Sequence, residues 1–325
     1  MKKVIVIGGA GYVGTHLVDE LIKKNYKVTV YDLFIYGNLL NKHKNLSTIY
    51  GDIRDIDKLK KVIKNFDYLI HLACISNDPS FDLDPELGKS INLDPFEDIV
   101  KISKDNGVNK FLYASSSSVY GLKSEKDVNE NFSLEPLTDY SKYKAMCEEI
   151  LLKYNDKNFT TCIIRPATVC GFSRRQRFDV VVNILTNLAY NSGEVTIFGG
   201  SQLRPNINIR DMSNAYIFLL DKDPKLISGE IYNIGYENYS VNKLCNIVID
   251  NVNKKVVKKF LKTNDSRSYH ISSEKIKKDL GFKNKYNIEK AVVDLVSAFQ
   301  NNVFEDPLKN ENYFNIKKMK SINLK

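Results

Sequence analysis

The chain has 325 residues, a hydrophobic fraction of 43% and a formal net charge of +9 at pH 7. That length buries a full core and accommodates one large domain with a smaller second lobe, which excludes a small scaffold held by disulfides or metal. No apolar run approaches the ~20 residues that span a bilayer, so no membrane partner is expected.

Lys2 and Lys3 precede an apolar stretch as they would in a signal peptide, but the stretch runs into Gly8-Gly9 and reads as a first strand, Val4–Ile7. Gly8, Gly11 and Gly14 follow at three-residue spacing, and Thr15–Leu21 reads as a helix. A strand, a tight glycine turn and a helix N-terminus form a phosphate cradle: Gly8 permits a positive φ, Gly11 lets a pyrophosphate approach the backbone, and Gly14 lets helix and strand pack closely. Lys27–Tyr31 is the second strand, and Asp32 at its end is placed to bind the ribose hydroxyls of a dinucleotide. Asp32 would repel a 2′-phosphate, and the next residues are Leu33 and Phe34 with no arginine, so NAD is expected over NADP.

Further along, Ser47–Tyr50 reads as a strand, Asp55–Lys64 as a short helix, Tyr68–Ala73 as a strand and Asp84–Asn106 as one long helix. Lys110–Ser115 is a fifth strand, a helix begins near Asp139, and Thr160–Arg165 is a sixth strand. The alternation predicts an α/β fold, a Rossmann-type doubly wound parallel sheet with a smaller mixed α/β C-terminal lobe. The boundary is expected near residue 170, giving an NAD-binding domain over 1–170 and a substrate-binding lobe over 171–325, with some segments crossing back. The last stretch, Phe304–Lys325, is polar and reads as a fraying end.

Tyr140 and Lys144 are four residues apart, so on a helix they share one face. A phenol is a poor base at neutral pH, and a nearby ammonium with a positive nicotinamide would favour the phenolate. Strand five ends in Ala114-Ser115-Ser116-Ser117-Ser118-Val119-Tyr120-Gly121, which places hydroxyls at the edge where such sheets bind ligands. His71 lies inside a strand that reads as buried and is taken as a core residue, while His16, His43 and His270 are isolated, so no metal set is expected. Five scattered cysteines, Cys74, Cys147, Cys162, Cys170 and Cys245, form no C-x-x-C pair and read as reduced thiols in a cytoplasmic protein. Lysine-rich stretches near 254–285 and 317–325 lack interleaved aromatics, so they read as solvated basic surface and no nucleic-acid partner is expected.

Together these motifs, with Gly51-Asp52-Ile53, His71-Leu72-Ala73 and Arg165-Pro166, resemble the extended short-chain dehydrogenase/reductase superfamily in its NAD-dependent sugar-nucleotide epimerase/dehydratase branch. The resemblance covers about the first 285 residues. It implies a catalytic triad of Ser116, Tyr140 and Lys144, with Ser115 as the alternative hydroxyl. It also implies cofactor contacts from Gly8, Gly11, Tyr12, Val13, Gly14, Asp32, Asp52, Ile53, Leu72, Ala73, Asn92, Tyr140 and Lys144. On the substrate side it implies that Arg204 and Arg267 bind a nucleotide diphosphate. Ser76, in Ser76-Asn77-Asp78-Pro79 after the fourth strand, either faces the sugar or belongs only to a turn; Thr168, where the hexose 4-epimerases usually have Asn, and Arg177, one of the arginines Arg174, Arg175 and Arg177 that add charge after Gly171, are the other substrate candidates. The 4,6-dehydratases of this branch carry an acidic pair where this chain has Ser117 and Ser118, and the 3,5-epimerase/4-reductases carry a cysteine at Ser118. What remains is reversible oxidation at a ring carbon, most often C4, as an epimerase; a net 4-dehydrogenase or 4-ketosugar reductase is the alternative, and a non-catalytic NAD-binding protein a third. Helices over about 85–106 and 140–153 are implied to pair two copies as a homodimer.

Overall fold

The computed structural model describes residues 1–262, 268, 270–322 and 324. Its main sheet has seven strands, all parallel: β1 (Lys3–Ile7), β2 (Lys27–Asp32), β3 (Leu46–Tyr50), β4 (Tyr68–His71), β5 (Lys110–Ala114), β6 (Thr160–Pro166) and, much later in the chain, β10 (Glu230–Ile234). Their spatial order is β10-β6-β5-β4-β1-β2-β3. The chain winds outward from β1 in both directions, which leaves a crevice beyond the C-terminal ends of β1 and β4, the usual ligand site of such sheets.

Both faces of this sheet are covered, so its strands are apolar on both sides. The alternation of side chains along β1 shows it: Val4 and Val6 pack with Leu17, Ile164 and Met212 on one face. Ile5 and Ile7 pack with Leu69, Phe96, Phe111 and Leu151 on the other. The remaining strands form two small sheets. One has β7 (Thr168–Cys170), β9 (Leu203–Asn208) and β11 (Glu237–Ser240), and the other has β8 (Glu194–Phe198) and β12 (Val257–Leu261).

Three local expectations are corrected. The long helix over 84–106 is two helices, Pro85–Asn92 and Phe96–Asp105, because Pro95 offers no N–H and disfavours helical geometry at Asp94. The strand at 68–73 ends at His71, and the amides of Leu72 and Ala73 both turn to donate to the Ile7 carbonyl, at 2.8 and 3.0 Å. The polar end does not fray over its described residues. Phe304 packs among Phe178, Phe299 and Tyr313, and the helix Asn315–Ile322 follows, with Met319 and Leu324 against the second face of the main core.

Candidate active site

A cleft of about 500 Å³ opens at the crevice between β1 and β4. Gly8, Gly11, Tyr12, Val13 and Gly14 line its floor, with Asp32, Asp52, Ile53, Leu72 and Ala73 beside them. Gly8 has φ +82°, and a Cβ there would lie 2.4 Å from the Ala73 nitrogen, so the turn requires glycine. The helix Tyr12–Lys23 begins at Gly11 with no side-chain cap, which leaves first-turn N–H groups for a ligand. The Asp32 carboxylate accepts from the Ala10 amide at 2.9 Å and the Phe34 amide at 2.8 Å. Burial raises its pKa, and those amides and the Arg175 charge act against the rise. Asp52 is held by Arg54 in an ion pair of 2.6 Å. Asn92 is placed elsewhere: it is buried, and its amide clamps both the N–H and the C=O of Ile75 at 2.8 and 2.9 Å, so it shapes the loop after β4.

Tyr140 and Lys144 project from the helix Asp139–Lys153, whose start is set by a reciprocal cap between Thr138 and Ser141. Lys144 Nζ donates to the Ala114 carbonyl at the end of β5, at 2.6 Å, and lies 5.9 Å from the Tyr140 ring centre. The two candidate serines differ. The Ser115 hydroxyl donates to buried Glu148, whereas Ser116 pairs with Ser118 at 2.8 Å and lies beside Tyr140 on the cleft. The protonation of Tyr140 departs from the expected lowering. Burial raises the phenol well above its ordinary value, and Arg177 and the Ser116 hydroxyl oppose this only in part. The protein groups by themselves therefore hold Tyr140 as a neutral phenol at neutral pH.

Ser76, Thr168, Arg177 and Arg204 all line the same cleft. Arg177 is anchored to Asp179 at 2.8 Å and donates to the Ser76 hydroxyl at 3.2 Å. Arg204 sits on β9 opposite Tyr239 and donates to the Leu203 carbonyl at 2.9 Å. Arg267 lies outside the described residues. The lining residues that the sequence did not single out as site residues include Tyr36, Arg175 and Asn315. Arg174, Arg175 and Arg177 stand close together after Gly171 in the sequence, but only the fold sorts them. Arg174 turns away to Asp19 and the Leu39 carbonyl, while Arg175 and Arg177 turn inward. Nothing marked Asn315, which arrives from far along the chain. Among the described residues no group of acidic, histidine or cysteine side chains could hold a metal, and no helix is long and apolar enough to cross a membrane.

Gly11 tests whether the cleft fits a dinucleotide. Its φ is −76°, open to any residue, and a Cβ there would meet only the Gly8 carbonyl, at 3.4 Å. The protein does not itself require glycine at this position; a side chain would instead stand in the cleft where a pyrophosphate would lie. The residues present fit NAD: Asp32 would meet a ribose and the glycine turn would leave room for a diphosphate.

The comparisons agree. The chain is 29% identical over 307 residues to a putative UDP-glucose 4-epimerase of Methanocaldococcus jannaschii, covering 92% of this chain and 99% of that protein. The UDP-N-acetylglucosamine 4-epimerase of Methanobrevibacter ruminantium, in complex with UDP-N-acetylmuramic acid, superposes with a TM-score of 0.84 at 26% identity, over 93% of this chain and 99% of that one. The UDP-glucuronic acid 4-epimerase of Bacillus cereus, with UDP-glucuronic acid and NAD, superposes with a TM-score of 0.82 at 26% identity, over 92% and 99%. The model of the NAD dependent epimerase/dehydratase family matches residues 4–235. With that match over most of its length, on a Rossmann-type sheet and with a cleft shaped for NAD, the chain belongs to the NAD dependent epimerase/dehydratase family and is an NAD-dependent enzyme.

Proposed function

We propose that the protein is a nucleotide-sugar epimerase that inverts a ring carbon, C4, by reversible oxidation and reduction, with Ser116, Tyr140 and Lys144 as its catalytic residues. The observation that carries this is the convergence of the three side chains at the end of β5, on the cleft whose floor is the glycine turn. NAD, when bound, supplies the hydride acceptor and a positive ring charge that favours the phenolate. Tyr140 exchanges a proton with the hydroxyl of the reacting carbon, and Ser116 hydrogen-bonds the same oxygen. The neutral phenol is the form that returns a proton when a ketone is reduced. Lys144 fixes the end of β5 and reaches the cofactor ribose. Arg204 and Arg267 hold the diphosphate of the substrate, and Ser76, Thr168 and Arg177 face the sugar.

The three relatives compared are described as acting on UDP-linked sugars, which supports UDP as the nucleotide and epimerisation over net dehydrogenation or ketosugar reduction. Ser117 and Ser118 occupy the positions where water elimination would need an acid and a base, so dehydration is not the reaction. Residues 1–170 serve as the cofactor domain and 171–325 as the substrate lobe, with β10 crossing back, in a cytoplasmic homodimer.

A panel of UDP-, GDP-, CDP- and dTDP-sugars incubated with the purified protein tests the reading. NMR should find a C4 epimer of a UDP-sugar with no net change in NADH; stoichiometric NADH would make it a dehydrogenase. Tyr140→Phe should keep NAD and UDP-sugar binding while turnover falls about 10²- to 10⁴-fold. Near-full activity in that variant would remove the triad from the account.

A further inference from the structure

Among the described residues Arg175 is a buried cation with no ion pair, although the Asp32 and Asp179 carboxylates lie near enough to feel its charge. Its side chain is 3% exposed, yet it lines the cleft. Its guanidinium lies over the Tyr36 ring, 3.6 Å from the ring centre, and one nitrogen donates to the Asn315 side-chain amide oxygen at 2.5 Å. Among the described residues its Nε has no hydrogen-bond partner. Both nearby carboxylates are engaged elsewhere: Asp32 accepts from the Ala10 and Phe34 backbone amides, and of the Asp179 oxygens one pairs with Arg177 and the other accepts from the Asn315 backbone amide at 2.9 Å. Burying an unpaired charge is costly, so a guanidinium fixed in this way calls for an anion from outside the chain.

Its position says which anion. Tyr36 is four residues beyond Asp32, both line the cleft, and the Arg175 charge stacked over Tyr36 acts on the Asp32 carboxylate. Two residues before Arg175, the Ser173 hydroxyl bonds both the Tyr12 carbonyl and the Thr15 hydroxyl, at 2.7 Å each, in the first turn of the helix after the glycines. Arg175 is thus pinned between the ribose carboxylate and the helix N-terminus, where a dinucleotide's diphosphate runs. A diphosphate carries about two negative charges, and a helix N-terminus offers only about half a positive one. The other inward arginine of that loop, Arg177, already has Asp179.

We propose that Arg175 is a cofactor-binding residue that grips the NAD diphosphate opposite the glycine turn, with Tyr36 and Asn315 holding its guanidinium in place. The helix Asn315–Ile322 thereby becomes part of the cofactor site, and the far end of the chain is linked to dinucleotide retention.

The assignment rests on NAD lying along the glycine turn, and the experiment separates the two. In the full-length protein, Arg175→Met should weaken NADH and ADP binding on the order of 10- to 100-fold by fluorescence and calorimetry, the effect of one charge-assisted contact, while UDP binding stays within about twofold. Thermal unfolding of the cofactor-free variant should occur at or above the wild-type temperature, since an unpaired buried charge has been removed, and the shift on adding NADH should shrink. Arg175→Lys should bind NADH with an affinity between wild type and Arg175→Met, again with UDP unchanged. Unchanged NADH and ADP affinity with lowered cofactor-free stability would make Arg175 structural and overturn the proposal. Lost UDP affinity would assign the arginine to the substrate diphosphate and overturn it equally. Gly11→Val is the control: if it leaves NADH binding intact, the glycine-turn reading itself fails, whatever Arg175 does.

Discussion

His71 sits at the end of β4 between Phe96, Phe111 and Tyr113, and among the described residues neither ring nitrogen has a hydrogen-bond partner. Burial, with the Lys144 charge nearby, pushes its pKa down from 6.5 to about 3. The unfolded histidine takes up a proton below pH 6.5 and the folded one only near pH 3, so the unfolded state holds more protons in that window. Stability from this residue is full above pH 6.5 and falls as the pH is lowered, by roughly 1.4 kcal/mol per unit. Urea unfolding at pH 7.5 and pH 5.5 should find that the wild type loses about 1.4 kcal/mol more than His71→Leu between those conditions; equal losses would refute the neutral buried state. A histidine in an apolar strand was legible as core from the pattern alone. Which serine faces Tyr140 was not, because Ser115 and Ser116 are adjacent and only the burial of Glu148 assigns them.

At the scale of elements, Glu148 and Arg165 tie the helix that carries Tyr140 and Lys144 to the sheet beneath it. They pair at 2.6 Å, each side chain 3% exposed. The same carboxylate accepts from Ser115 on the β5 side, and the same guanidinium donates to Tyr120, which donates to Asn233 on β10. Removing one partner strands the other charge in the core. Arg165→Met should therefore cost about 3–5 kcal/mol in urea unfolding, and adding Glu148→Leu should restore much of it. A double variant as unstable as the single one would show that packing, and not the stranded charge, sets the loss. The chain had announced the helix by its spacing and Arg165-Pro166 as a motif, but their coupling runs across the sheet and has no linear signature.

For the whole molecule, the helix Asp139–Lys153 leaves a face that includes Met146, 45% exposed, with Lys142, Glu149 and Lys153. This is the face proposed to meet a second copy, in a pairing that includes the helix Phe96–Asp105. Light scattering at micromolar concentration should give about twice the 37.2 kDa chain mass, and Met146→Glu should lower it towards one chain by burying a charge at the contact. A single-chain mass for the wild type would end the dimer proposal without touching the active site.

The glycine turn, Asp32, the serines after β5 and the Tyr140–Lys144 pair could be read directly from the sequence, because each depends on local geometry: a strand–turn–helix, a strand end, one helical turn. From them came the Rossmann-type sheet and NAD as the cofactor. Other features were decided by tertiary packing. Glycine is mandatory at position 8 because the Ala73 backbone passes beside it, and β10 joins the main sheet although more than sixty residues separate it from β6. The Arg175 cradle draws Tyr36 from the loop after β2 and Asn315 from the end of the chain. Side chains so distant in sequence leave no spacing to read; they meet only because burial of the apolar faces brings their elements together.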